Sequence, residues 1–223
     1  MARPPARERL AEAAFALFDE RGYEQTTVDD ITERAGLGRT TFFRHYRAKE
    51  DVIFPDHDRL IDLVRRRLLG CGPGSPLAAA CDAVRLVLLH YLGEGDLARR
   101  RYALTSKVAA LRDREIASVA RYQRLFREFL DAHGEPDPLR AELMAAAVVA
   151  AHNHVLRRWL RAECADPLGE VDQAMRQVTA LFAAPAAWPG ADGAGTTIVA
   201  FRTGQDLGAL LPALRRLAAG TAE

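Results

Sequence analysis

The stretch Gly36–Glu50, GLGRTTFFRHYRAKE, concentrates positive charge beside aromatic rings. It holds four basic side chains, a histidine and three aromatic rings, and its single acidic residue is the last one. The glycines at its start predict a tight turn, and the spacing after them predicts a short helix from Arg39 to Tyr46. A helical wheel places the rings inward and a polar set outward: the inward set is Phe42, Phe43 and Tyr46, and the outward set is Thr40, Thr41 and Arg44.

The residues before this stretch complete a helix-turn-helix pattern. Helical spacing predicts a first helix over about Arg7–Glu20, ended by Gly22, and Thr27 with Asp30 resembles a capping box at the start of a second helix. Two short helices joined by a glycine-containing turn are typical of a DNA-binding unit. The alternative is an ordinary amphipathic surface helix, in which the same rings would still form the core.

The outward face has the chemistry of a major-groove reader. Arg39 and Arg44 can each donate two parallel hydrogen bonds to guanine, and Thr40 can contact a thymine methyl group. Phosphate contacts are predicted for Thr41, Arg47 and Lys49, and for the start of the second helix. The principal predicted DNA-binding positions are Thr26, Thr27, Arg39, Thr40, Thr41, Phe43, Arg44, His45, Tyr46 and Lys49.

The whole-chain composition is that of a globular protein. The 223 residues carry a formal net charge of +1 and 49% of them are hydrophobic, so a DNA-binding function must depend on local charge. Three scattered cysteines form no metal-binding motif and indicate a reducing compartment. The sequence presents no signal peptide and no apolar run of membrane-spanning length, which predicts a cytoplasmic protein. We expect no metal and no cofactor.

Helical spacing continues to residue 184 and predicts an all-α protein. We expect a helix-turn-helix domain over residues 1–48, a larger helical effector-binding and dimerisation domain over 49–184, and a linker with a C-terminal extension over 185–223. Pro55 lies inside the pattern of the fourth helix and predicts a kink or a restart there. The extension has β-type residues over 197–201 and an amphipathic helical pattern over 205–219, and its role is left open.

Two segments resemble the N-terminal signature of TetR-family transcriptional regulators. They are AFALFDERGYEQ (Ala14–Gln25) and TTVDDITERAGLGRTTFFRHYRAKEDVIF (Thr26–Phe54). The resemblance is close over about the first 54 residues, and beyond them it extends to helix number and length. It implies about nine helices, of which helices 1–3 bind DNA, helices 4–7 enclose an effector pocket and the last two form a four-helix bundle with a partner subunit.

Two positions depart from the family pattern. The family commonly has tyrosine where this chain has Phe43, so a phenolic contact to phosphate is lost. It often has serine or threonine where this chain has Gly38, which weakens the N-cap of the third helix. Lys49 occupies the family's phosphate-contacting lysine position. The resemblance favours a repressor over an activator.

The last two predicted helices carry candidate dimer stripes. The first stripe is Leu143, Ala147, Ala150, His154 and Arg158, and the second is Val171, Met175, Val178 and Phe182. The alternative is that these stripes pack within one subunit. A homodimer is expected because two recognition helices spaced ~34–36 Å apart match successive major grooves of double-stranded operator DNA.

Polar residues in the apolar middle helices are candidate contacts for a small-molecule effector of apolar or amphipathic character. They are His90, Tyr91, Tyr102, Thr105, Tyr122, His152 and Asn153. For each of them, an ordinary core or surface role is the alternative. We expect the effector to move the fourth helix and so separate the recognition helices, with the irregularity at Pro55 absorbing the motion.

Two other kinds of protein are disfavoured. An enzyme is disfavoured because the chain has no GxSxG, Walker or dinucleotide-binding motif. An adaptor that kept the fold without DNA binding is disfavoured by Arg39, Arg44 and Lys49. The prediction is therefore a sequence-specific DNA-binding regulator that an effector releases from its operator. The adaptor and a transcriptional activator remain the alternatives.

Overall fold

The computed structural model describes residues 4–72, 74–135 and 137–183. Within these ranges the chain forms nine α-helices and one short 3-10 turn, with no strand, which confirms the all-α prediction. The expected strand over 197–201 and helix over 205–219 lie outside the described residues. The helices are α1 (Ala6–Arg21), α2 (Val28–Ala35), α3 (Arg39–His45), α4 (His57–Leu69), α5 (Pro76–Glu94), α6 (Asp96–Lys107), α7 (Ala109–Ala132), α8 (Pro138–Leu160) and α9 (Pro167–Phe182).

The first three helices enclose a core of their own. Phe15 of α1, Ile31 of α2 and Phe42 of α3 are fully buried against one another. The predicted capping box begins α2: the Thr27 hydroxyl accepts from the Asp30 backbone N–H, and the Asp30 carboxylate accepts from the Thr27 N–H at 2.8 Å. This reciprocal pair satisfies donors that a helix start otherwise leaves unpaired.

The turn between α2 and α3 depends on a glycine and on an arginine from α1. Gly36 has φ +60° and ψ +45°, the left-handed conformation that a side chain disfavours. The Arg9 guanidinium donates to the carbonyl oxygens of Ala35 and Gly36. Arg9 therefore holds the turn against α1 and sets the direction in which α3 leaves it.

The helical pattern is interrupted at Pro55, between α3 and α4, as the sequence predicted. A 3-10 turn covers Lys49–Val52, and α4 begins afresh at His57 with the Asp56 carboxylate accepting from the Arg59 N–H. Ile53 in this linker is fully buried in the core of the first three helices. The linker is thus packed against the first three helices, so it can transmit a shift of α4 to α3.

The larger core lies among α4, α5, α7, α8 and α9. Its most deeply buried members include Val64, Leu88, Phe126, Val148 and Val171, one from each helix. Helix α5 is long and apolar enough to span a membrane by length and composition. Its buried residues belong to this core, so the same composition is explained by packing inside the protein.

The larger domain also contacts the core of the first three helices. Leu111, near the start of α7, is buried within that smaller core, and Val108 at the α6–α7 junction packs against it. The first three helices therefore contact the larger domain through the linker, through this junction and through α6, where Arg100 pairs with Asp19 of α1.

Candidate DNA-binding surface and effector cavity

The recognition helix α3 is held by two buried rings. Phe42 is fully buried, and Tyr46 is buried with its hydroxyl donating to the Arg7 carbonyl oxygen at 3.2 Å. Thr40 and Arg44 lie on the opposite, exposed side of α3. The predicted inward and outward faces are confirmed at these four positions.

Phe43 does not pack inward as predicted, because its side chain is 48% exposed. Phe42 and Tyr46 already fill the space beneath this seven-residue helix, so the third ring remains at its outer edge. Phe43 meets Phe42 edge-on, with ring centres 5.4 Å apart. The Arg39 guanidinium carbon lies 5.6 Å from the Phe43 ring centre.

Two further residues predicted to contact DNA, Thr26 and Thr27, have their backbone N–H groups committed to hydrogen bonds within the domain. Thr26 is buried and its N–H donates to the Tyr23 carbonyl, while the Thr27 N–H is taken by Asp30. The start of α2 therefore does not offer these two N–H groups to a phosphate. The Tyr46 hydroxyl is likewise used inside the domain, so Tyr46 supports α3 from below.

Lys49 is more enclosed than a simple phosphate contact requires. Its ammonium group donates to the carbonyl oxygens of Tyr23 (2.9 Å) and Thr26 (3.1 Å) and lies 4.2 Å from the Tyr23 ring centre. An ammonium group has three donors, so two are committed to the loop before α2. Lys49, at the family's phosphate-contacting position, therefore also stabilises the loop before α2.

The exposed polar set around α3 is basic with one acidic partner. Arg44 and His45 are exposed, and Thr41 is half-buried at the helix edge. The Asp29 carboxylate at the start of α2 accepts from Arg39 Nη1 at 2.5 Å, and both side chains are mostly exposed. The sequence offered no signal for this pairing, which arises because the turn brings the starts of α2 and α3 together.

Two adjoining cavities lie inside the larger domain. They measure about 30 and 50 Å³, and they share linings from α4, α5, α7 and α8. Six of the seven predicted effector contacts line one or both cavities: Tyr91, Tyr102, Thr105, Tyr122, His152 and Asn153. The position of these residues agrees with an effector pocket, and their contact with an effector stays a prediction.

The cavity histidines are neutral at physiological pH. His57 Nδ1 lies 3.1 Å from the Tyr122 hydroxyl, and His152 Nδ1 lies 3.1 Å from Asn153 Oδ1. Burial lowers the pKa of each imidazole to about 4. His152 Nε2 has no hydrogen-bond partner among the described residues, so it is a buried polar atom available to a ligand.

Arg101 links the cavities to the linker of the DNA-binding domain. This buried side chain donates through Nε to the Ile53 carbonyl and through Nη1 and Nη2 to the Glu94 carboxylate at 2.6 and 2.9 Å. Burial opposes ionisation of Glu94, but the adjacent His90 imidazole and the hydrogen bonds from Arg101 outweigh it and lower the pKa of Glu94 to about 2. The ion pair is therefore maintained across the physiological range.

Five polar residues that line the two cavities were missed from the sequence: His57, Arg101, Glu115, Ser118 and Arg157. Arg101 is the last of three consecutive arginines, and no pattern distinguishes the buried one from its neighbours. His57, at the start of α4, and Glu115, in the second turn of α7, have the pattern of ordinary polar helix residues. Tertiary packing alone brings them to the cavities.

His90 lies in a different place from the other predicted contacts. It lines an open cleft of about 720 Å³ between α1, the linker, α4, α5 and α6. Its Nε2 atom lies 3.5 Å from Glu94 Oε1. Its position on α5 turns it away from the inner cavities, so it does not join the other six residues, and its contact with an effector stays a prediction.

The two predicted dimer stripes differ in burial. The α9 stripe packs inside the subunit, because Val171, Met175 and Val178 are buried in the larger core. On α8, Leu143, Ala150 and His154 are exposed. The α9 stripe therefore packs within its own subunit, which was the alternative to a dimer contact. On α8, an exposed apolar surface remains.

Comparison with known proteins identifies the chain. The family description "Bacterial regulatory proteins, tetR family" matches residues 10–54, and "MftR C-terminal domain" matches residues 74–183. The HTH-type transcriptional regulator TcmR of Streptomyces glaucescens is 31% identical over 169 residues, which cover 70% of this chain and 74% of that protein. The chain belongs to the TetR family of transcriptional regulators.

Solved structures of transcriptional repressors have the same fold. FadR of Thermus thermophilus, in complex with lauroyl-CoA, is 25% identical with a TM-score of 0.53, over 81% of this chain and 97% of that one. The SmeT–triclosan complex is 18% identical with a TM-score of 0.56, over 79% and 90%; SmeT is described as the repressor of a Stenotrophomonas maltophilia multidrug efflux pump. In the described ranges of this TetR-family chain, no group of three or more His, Cys, Asp or Glu could hold a metal ion.

Proposed function

We propose that this TetR-family regulator is a homodimeric, cytoplasmic repressor that a small-molecule effector releases from its operator. Residues 1–48 bind the DNA, and residues 49–184 bind the effector and the partner subunit. The observation that carries the proposal is the fixed orientation of α3. Burial of Phe42 and Tyr46 beneath that helix turns Thr40 and Arg44 toward solvent, where base edges can be reached.

DNA binding is tested by selection from a library of double-stranded oligonucleotides with a randomised core. We expect one sequence with two half-sites about one helical turn apart. Arg44→Ala should lower the preference for that sequence over scrambled DNA by about tenfold or more. Arg124→Ala, an exposed arginine of α7, is the matched control. Equal behaviour of the two variants, or no enriched sequence, would contradict the proposal.

Dimer formation is supported by the exposed apolar surface on the last two helices. Leu139 and Leu143 of α8 and Leu181 of α9 are all more than half exposed, and unpaired apolar surface of this kind favours association. Leu143→Glu should shift the protein toward monomer in light-scattering measurements and weaken operator binding. Ile116→Glu, at an exposed apolar position of α7, should leave the dimer intact.

Effector control is supported by the inner cavities and by the relatives whose structures hold lauroyl-CoA and triclosan. The cavities of this chain are small, so an apolar or amphipathic effector would enlarge them by moving the helices around them. A compound that raises the thermal midpoint of the protein and releases the operator would support repression by this route. Stimulated transcription from an operator-bearing template would instead indicate the activator.

A further inference from the structure

Arg39 and Phe43 form a preassembled pair on the exposed edge of α3. They are one helical turn apart, and the guanidinium carbon lies 5.6 Å from the ring centre. An exposed phenylalanine costs solubility, and it cannot hydrogen-bond to phosphate. The ring is therefore placed where only an apolar contact would give it a direct role in binding DNA.

Asp29 restricts where the Arg39 guanidinium can go. Its carboxylate binds Nη1 at 2.5 Å, while Nε and Nη2 have no partner within the described ranges. Those two atoms are a pair of parallel donors, as guanine O6 and N7 require. A carboxylate beside the guanidinium also repels the phosphate backbone, so this arrangement favours a base over a phosphate as the target of Arg39.

We propose that Arg39 and Phe43 act as one unit that reads a guanine and the thymine next to it in the major groove. This inference rests on the proposed operator binding. The ring centre lies 5.6 Å from the guanidinium carbon, which is more than the ~3.4 Å between successive base pairs. With the guanidinium in the plane of the guanine, the ring therefore extends past that plane to the neighbouring base pair. A thymine there presents its C5-methyl group to the groove, whereas cytosine presents none.

The test removes one methyl group or one hydrogen-bond acceptor of the DNA at a time. In the operator selected by the wild-type protein, each thymine is changed in turn to uracil, which removes only the methyl group. We expect about three- to fivefold weaker binding at one thymine per half-site, the factor for burial of one methyl group. That thymine should neighbour a guanine whose replacement by 7-deazaguanine, which lacks the N7 acceptor, also weakens binding.

Protein variants assign the two effects to the two side chains. Phe43→Ala should bind the thymine and uracil operators equally, whereas Phe43→Tyr should retain the preference because it keeps the ring. Arg39→Ala should lose the sensitivity to 7-deazaguanine. Ile116→Ala is the control for loss of an exposed apolar side chain distant from α3, and it should retain both preferences.

The outcomes separate this inference from the proposed function. Failure to select any sequence would refute operator binding itself. A selected operator that tolerates uracil at every thymine would overturn the inference and leave operator binding intact. The comparison of thymine and uracil operators uses the wild-type protein alone, so it tests the inference even if Phe43→Ala were to unfold. Retention of the full thymine preference by folded Phe43→Ala would also overturn it.

Discussion

At the scale of single residues, Lys49 has a structural role beside its predicted one. Its two hydrogen bonds to carbonyl oxygens connect the 3-10 turn to the loop before α2. Hydrogen bonds from a charged donor are worth more than neutral ones. The position at which the family pattern predicts phosphate contact is therefore also one that holds the helix-turn-helix together.

Lys49→Met should lower the free energy of unfolding by about 1–3 kcal/mol, because it removes the donor and leaves two carbonyl oxygens poorly satisfied. Urea denaturation measures this change. Lys107→Met, at an exposed lysine at the end of α6, should change the free energy by less than about 0.5 kcal/mol. Equal effects of the two substitutions would show that Lys49 serves phosphate alone.

His152 should make stability depend on pH. Burial lowers its folded-state pKa to about 4, against an ordinary value of 6.5. Between these values the unfolded chain binds a proton that the folded protein does not, so the free energy of unfolding falls as pH decreases from about 6.5 to about 4. The loss from this group should be on the order of 1–3 kcal/mol.

The measurement is urea denaturation of the wild type and of His152→Gln across that pH range. The variant should lose less stability than the wild type between pH 6.5 and pH 4. His154→Gln, at an exposed histidine two residues along α8, should keep the wild-type dependence. Parallel curves for the wild type and His152→Gln would contradict a buried neutral imidazole at this site.

At the scale of the helices, α2 and α3 are too short to be stable by themselves. They have eight and seven residues, whereas isolated helices shorter than ~12–15 residues are marginal in water. Their stability must come from end caps and from packing. Helix α2 has its capping box, while α3 begins at Gly38 with no side-chain cap and relies on Phe42 and Tyr46.

Thr27→Ala should therefore lower the free energy of unfolding by about 1 kcal/mol, because the hydroxyl that accepts from the Asp30 N–H is lost. Thermal or urea denaturation measures this. Thr40→Ala is the matched control, since Thr40 is exposed on α3 and the structure gives its side chain no hydrogen bond among the described residues. A similar loss in both variants would contradict the capping role.

At the scale of the whole molecule, Arg101 is the clearest connection between the inner cavities and the DNA-binding helices. It lines a cavity, holds Glu94 of α5 and donates to the Ile53 carbonyl in the linker. An effector that moved this side chain would alter the linker directly. A contact that responds to both sites is the physical requirement for coupling them.

Arg101→Met should lower the free energy of unfolding by about 3 kcal/mol, because it leaves the partly buried Glu94 carboxylate without its arginine partner. Adding Glu94→Gln should recover part of the loss. Arg100→Met is the control, since Arg100 pairs with Asp19 in an exposed position. Urea denaturation of these variants measures how much the Arg101–Glu94 ion pair contributes to the free energy of unfolding.

Substitution of Pro55 tests whether the linker transmits motion from α4 to the DNA-binding helices. If Pro55 absorbs the movement of α4, Pro55→Ala should change operator affinity or the response to effector, measured by fluorescence anisotropy of labelled operator DNA. The expected direction is weaker release, because a more continuous α4 resists bending. No change in either quantity would show that the motion takes another route, such as the α6–α7 junction.

The local patterns of the chain were sufficient for much of the architecture. Helical periodicity, the capping box and the Pro55 break each depend on residues close together in sequence, and each was predicted. Periodicity also separated Phe42 and Tyr46 from Arg44. It failed at Phe43 because a wheel gives direction only, and the depth of the core beneath α3 decides how many rings it can bury.

Amino-acid order by itself thus determined the helices, the family signature and the exposed face of α3, since these follow from local spacing. Tertiary structure alone decided the pairing of Asp29 with Arg39, the burial of Arg101 among three consecutive arginines, and the inward packing of the α9 stripe. Each of these depends on which distant surface a helix meets. Neighbours along the chain carry no information about that surface until the helices have packed.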